Sequence, residues 1–185
     1  MRGLTLTAPY GTLIAIAEKW PELGKQHETR GRPFHYRGWL AIHQGKNLAS
    51  VDGKDGFYTL CCSDPFHSTL VQAGLLLHPI MGREFGTVYE HIDRKIPLGK
   101  IVALVNYTAC YIVGRGGTVM YDTTNGDVAV PVPTGNDFAF GNYAPGRYAF
   151  KLEQIRALPE PIPFRGSQGL WNVPEDVQAA IWGQL

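Results

Sequence analysis

Residues Ile101 to Val113 constrain this chain more than any other stretch. The run IVALVNYTACYIV is rich in β-branched and aromatic side chains and follows a Pro97-Leu98-Gly99 turn. That is the pattern of a strand at the centre of a sheet, covered on both faces. Asn106 interrupts the run, and it is shorter than the ~20 residues a membrane-spanning helix requires. The rest of the chain must therefore supply partners for a long internal strand. With 185 residues there is enough chain for one domain with a substantial core.

Those partners are legible at several places. Leu4, Thr5, Leu6 and Thr7 alternate apolar and hydroxyl residues, as a strand with one buried face does. Pro9 and Tyr10 open a helix whose apolar positions Leu13, Ile14, Ala17 and Trp20 follow helical spacing until Pro21. Arg37 to His43 reads as a buried strand, with Gly38 allowing close backbone approach. Gln44 to Gly56 reads as a polar, glycine-rich loop. Ser63 or Asp64 is expected to cap a helix that carries Pro65 in its first turn and continues through Leu70, Val71 and Leu75. His78 to Leu98 mixes Pro, Gly and charge and reads as an insertion or lid, and 45–96 as a whole is expected to be a less typical helical or loop insertion.

Beyond the long strand, turns at Arg115–Gly117 and Thr123–Gly126 bracket a short strand over Thr118–Asp122. Asp137 to Gly146 reads as an aromatic-rich loop, and Arg147 to Glu153 alternates strictly enough to be a strand. A tail through Pro159, Pro161 and Pro163 leads to Gly169–Asn172 and a short helix from Pro174. The expected class is α+β: a small mixed β-barrel, as one domain over 1–185, flanked by two or three helices.

Chemistry concentrates between Leu23 and His43, where Lys25, His27, Glu28, Arg30, Arg32, His35, Arg37 and His43 fall in quick succession. In an extended segment Glu28 and Arg30 share one face. If residues 23 to 26 finish a helical turn, Lys25 folds back toward Glu28, and an ammonium, a carboxylate and a guanidinium converge. Buried together they perturb one another's ionisation, which suits proton transfer or anion recognition. On spacing alone, an ion pair tying a helix end to a strand is the simpler account. Tyr10, Arg37, Trp39, Asp137 and Trp171 are candidates to bind a ligand near the same place. Each has an ordinary alternative as core, helix staple or turn residue.

Composition narrows the partners. A formal net charge of +1 with 18% charged residues argues against a broad electrostatic footprint on nucleic acid. Cys61, Cys62 and Cys110 are odd in number and show no disulfide spacing, and LTLTAPYGTLIAIA is broken by Pro9 and Gly11, unlike a signal peptide. A cytoplasmic, soluble protein with no membrane partner is expected. His27, His35 and His43 lack metal-site spacing, so neither a metal nor another cofactor is expected.

The order LTLTAPYGTLIA, Gly24-Lys25-Gln-His-Glu28-Thr29-Arg30, Tyr36-Arg37-Gly38-Trp39-Leu40-Ala41-Ile42-His43, Leu98-Gly99-Lys100 and GNYAPGRYAFKLEQIRALPEPIPFRGSQGLWN resembles the ASCH domain family of PUA-like barrels. The likeness is to the longer members met in bacteria and their phages. Lys25, Glu28 and Arg30 match the family signature Gly-x-Lys-x-x-Glu-x-Arg; Leu23 stands at the glycine position and Gly24 lies one residue late.

The resemblance implies a cleft suited to a nucleobase, nucleoside or RNA segment. It also implies one of two activities, binding of RNA or a modified nucleobase, or metal-free removal of acyl groups from the exocyclic amine of N4-acylated cytosine or cytidine. Amidohydrolase members place a catalytic lysine at the Lys25 position and a threonine nucleophile three residues on, where this chain has Glu28 with Thr29 beside it. Hydrolysis is the first expectation. Glu28 would activate water, Lys25 would stabilise the oxyanion or pass a proton, and Arg30 would orient Glu28; in a variant scheme Thr29 is the nucleophile with Lys25 as its base.

Overall fold

A computed structural model of the protein describes residues 1–48, 53–76, 90 and 92–185. Most of the expected lid lies outside the described residues. The architecture is α+β, with an eight-stranded mixed sheet.

Strand β4 (Lys100–Val113) is the centre, as its composition demands, with Ile101–Val105 buried without a break. It pairs antiparallel with β3 (Gly38–Leu48) on one side and with β7 (Tyr148–Pro163) on the other. Outside β3 lies β1 (Arg2–Ala8), parallel to it, and outside β1 lies β8 (Leu170–Asn172), antiparallel. Outside β7 lies β2 (His27–Arg30). The main path is thus β2-β7-β4-β3-β1-β8, with β5 (Val119–Asp122) on the end of β4 and β6 (Ala129–Pro131) on β5. Among the described residues no pairing joins β8 back to β2, so the sheet is open where a closed barrel was expected.

A parallel β1–β3 pair needs a crossover rather than a hairpin. Helix α1 (Tyr10–Ile16) supplies it and buries Leu13 and Ile14 completely. The helix stops at Ile16, short of the proline expected to end it, and turns continue the chain: Trp20 N donates to Ile16 O, and Gly24 N to Trp20 O. Gln44 locks the helix to the sheet. Its Oε1 accepts from Thr12 N at 2.8 Å and Thr12 Oγ1 at 2.9 Å. Fully buried apolar side chains such as Leu4, Leu40 and Ile42 meet α1 in the main core. Each contributes about 1.5–3 kcal/mol on leaving water.

Three expectations are corrected here. The supposed loop from Gln44 begins as strand, because β1 continues alongside it and pairs Leu6 with Gln44 and Ala8 with Leu48. Its far end, Gly53–Gly56, opens helix α2 (Gly53–Cys61), held by burial of Phe57, Tyr58 and Cys61. The proline-rich tail is strand too. Between Ile101 and Ala103 the partner on β7 jumps from Ile162 to Ala157, so Pro159 and Pro161 fall inside an irregular stretch. There the missing N–H breaks no regular ladder bond.

Helix α3 (Phe66–Gln72) starts after Pro65, with Asp64 Oδ1 accepting from Ser68 N at 3.0 Å, and Leu75 lies beyond its end. Helix α4 (Gly135–Ala139) forms within the expected aromatic loop. Helix α5 (Glu175–Trp182) covers a satellite core that includes Ala41, Leu104 and Ile181. Among the described residues no helix is long and apolar enough to cross a membrane.

Candidate functional site

The charged trio is assembled by three elements. Gly24 lies so close to the end of α1 that a Cβ there would meet the Ala17 backbone at 2.4 Å. Only glycine lets the turn press onto the helix, and Lys25 N then donates to Leu13 O at 2.9 Å. This contact turns the Lys25 side chain inward. Gly24→Ala is expected to destabilise the protein by about 1–3 kcal/mol, since backbone rather than a movable side chain must yield. A thermal unfolding midpoint within about 1 °C of the parent would refute that packing argument.

Lys25 is 0% exposed. Its Nζ donates to Phe140 O at 2.8 Å and stands 3.7 Å from Glu28 Oε2. Burial pushes the ammonium below the usual lysine range, against the opposing pull of Glu28 and Asp137. Glu28 is 8% exposed, and its Oε1 lies 3.3 Å from Arg30 Nε. The two charges are within ion-pair reach, although the Nε–H is not aligned into a hydrogen bond. Arg30 continues outward, donating to Thr5 O at 3.0 Å. The order is therefore a buried ammonium, a nearly buried carboxylate, and a guanidinium that reaches the surface.

What it reaches is a cleft of about 970 Å³ between β1, β3 and the 163–169 loop. Its ionisable lining residues are Arg30, His43, Lys46 and Arg165, with no carboxylate among them. His43 is buried. Its Nε2 donates to Phe164 O at 2.9 Å, and Nδ1 has no hydrogen-bond partner among the described residues. Burial holds its ring below the usual histidine range, so the neutral ring leaves a bare lone pair at Nδ1. Gly166 closes over this atom, and a Cβ there would meet Nδ1 at 2.3 Å. Sequence reading had treated His43 as an ordinary polar residue and did not single out Lys46 or Arg165. Their one signal was a basic side chain in a glycine-rich segment.

The other candidates disperse. Tyr10 stays with the trio, its ring centre 5.6 Å from Lys25 Nζ, and burial followed by the Glu28 charge pushes its hydroxyl up. Trp171 flanks the cleft: it stacks on Phe164 at 4.9 Å and donates from Nε1 to Thr5 Oγ1 at 3.1 Å. Trp39 packs edge-on against Trp182 at 5.3 Å, in the core under α5. Arg37 lies over the Tyr107 ring at 4.5 Å and donates to Tyr36 O at 2.8 Å. Thr29 alternates away from Glu28, and its hydroxyl accepts from Asn142 N at 2.8 Å. Asp137 bonds to residues 26 and 27 rather than to Lys25. Among the described residues no group of three or more His, Cys, Asp or Glu is placed to hold a metal ion. The chain matches no protein-family model, and no curated protein matches it.

Proposed function

We propose that this chain is an ASCH-like, PUA-like domain that binds a phosphate-bearing nucleobase ligand, a nucleotide or a short RNA segment, in the cleft at Arg30. The observation that carries this reading is a large concave site lined by three cations, Arg30, Lys46 and Arg165, and by no carboxylate, in a protein of net charge +1. Arg30, Lys46 and Arg165 supply positive charge for phosphate, and Arg30 is backed by Glu28. Phe164, stacked on Trp171, offers a flat apolar face for a base. The likeness of residues 24–30 and 36–43 to the ASCH pattern supports the same ligand class.

The test is a fluorescence titration with a labelled single-stranded RNA and, separately, cytidine 5′-monophosphate. Arg165→Ala, at an exposed side chain, is expected to weaken binding at least about tenfold. The log of the binding constant should fall with log salt at about −0.7 per phosphate neutralised. No binding of either ligand, or binding that Arg165→Ala leaves unchanged, would remove this assignment.

A second reading rests on Lys25, a cation depressed by burial and 3.7 Å from a carboxylate. It is metal-free hydrolysis of N4-acylated cytosine or cytidine, with Glu28 and Lys25 as the reacting groups. Neither residue lines any described cavity, so substrate would have to open the site. Release of cytidine from N4-acetylcytidine by the parent and not by Glu28→Gln would favour this reading over binding alone.

A further inference from the structure

On the opposite face of β2 from the trio, His27 and Asp137 form a pair that the binding cleft does not use. Asp137 Oδ1 accepts from the backbone N–H of Gln26 at 2.9 Å and of His27 at 3.0 Å. Its Oδ2 lies 2.7 Å from His27 Nδ1. The carboxylate is therefore fixed at both oxygens, and 9% of the residue is exposed. Burial pushes its carboxyl up, but the His27 ring and the two amides pull it further down, so it remains ionised. An ionised acceptor at Nδ1 selects the tautomer of the neutral ring, in which the proton sits on Nδ1 and Nε2 carries the lone pair.

That lone pair has somewhere to act. His27 lines a cavity of about 430 Å³ together with Gln26, Lys151, Glu153 and Gln154. In the β2–β7 register His27 stands directly opposite Lys151, so the two side chains share a face, and Glu153 follows on the same face. Lys151 Nζ pairs with Glu153 Oε1 at 2.7 Å, which holds the ammonium charged. Ring Nε2 has no hydrogen-bond partner among the described residues. Gln154, in the same wall, is held at φ 48°, a left-handed conformation that a side-chain-bearing residue adopts at some expense, and its Oε1 accepts from Asn106 Nδ2 at 3.2 Å. The cavity is lined by no Ser, Thr or Cys, so a base here acts on water or on the substrate itself.

We infer that His27 is a general base for hydrolysis of a small carboxylic ester or amide bound in this second cavity, with Asp137 as its positioning residue. The site is separate from the Arg30 cleft and does not depend on the binding reading. In the reaction, Nε2 takes a proton from water as the water oxygen bonds to the acyl carbon. The carbonyl π pair moves to oxygen, where Lys151 faces the developing negative charge. The tetrahedral intermediate then reforms its C=O bond and expels the alcohol or amine, which takes the proton back from the imidazolium. Water and ester, or amide, are consumed, and acid and alcohol, or amine, are released.

The test is hydrolysis of p-nitrophenyl acetate by the full chain, against free imidazole at matched concentration. The parent is expected to exceed imidazole by at least about 100-fold in second-order rate constant. His27→Gln should fall to the imidazole level with an unchanged melting temperature. His27→Asn, whose amide can still donate to Asp137, guards against loss of fold and should fall equally. His35→Gln, at an exposed histidine, should match the parent.

For Asp137, nitrogen-15 NMR of the ring gives a readout that a purely structural role would not move. The parent should show His27 protonated at Nδ1, and Asp137→Asn should lose that preference together with at least about tenfold in rate. A parent no faster than imidazole, full activity in both His27 variants, or a ring protonated at Nε2 would each overturn the assignment.

Discussion

Lys25→Met is expected to lower folding stability by about 3 kcal/mol, the low end for breaking a buried ion pair, because Glu28 keeps Arg30. The lysine is fully buried, so its removal leaves the Phe140 carbonyl without its donor and a nearly buried carboxylate without one of its two neighbouring cations. Lys25→Met with Glu28→Gln should lose less than the two single changes added together, because the second change removes the charge that the first one strands. Urea unfolding followed by tryptophan fluorescence measures all three. A loss below about 1 kcal/mol for the single change would mean that the ammonium is solvated, and it would return Lys25 to the list of groups a ligand can touch.

Phe150→Ala is expected to cost about 3–5 kcal/mol, the range for removing a buried aromatic ring. The ring is fully buried, lies 5.2 Å from Phe34 and 5.0 Å from Tyr107, and faces Glu28 across the β2–β7 pair. It backs Glu28, the middle member of the charged trio, across the strand pair. Phe150→Leu, which keeps most of the volume, should cost below about 1.5 kcal/mol. Equal losses for the two variants in the same urea experiment would show that ring packing is not what holds β2 in place.

What the sequence disclosed follows from how local each signal was. The centre of the sheet was legible because Ile101–Val113 satisfies a strand's burial by its own composition. The convergence of Lys25, Glu28 and Arg30 was legible because a turn followed by an alternating strand fixes their relation within six residues. Their depth was not legible: the carbonyl that receives Lys25 belongs to Phe140, more than a hundred residues away. The same separation hid the Asp137–His27 pair, which needs α4 to sit over the start of β2. The basic cleft was missed for a third reason. Arg165 and Lys46 come from segments with no periodicity of their own, and only the meeting of β3 with the 163–169 loop makes them neighbours.

The pairing of β1 with β8 sets a condition on biogenesis. Arg2 stands opposite Asn172, and Val173 N donates to Met1 O at 3.2 Å, so the outer edge of β1 is covered by a strand made about 160 residues later. Until residues 164–172 emerge, β1 presents an unsatisfied hydrogen-bonding edge, and the cleft lacks both its Phe164 wall and its Arg165 charge. Contacts so distant along the chain form slowly, since the intervening loop must be closed first. A nascent or truncated chain ending before residue 164 would therefore carry the buried trio's sequence without the cleft, and would expose an edge prone to pairing with other chains.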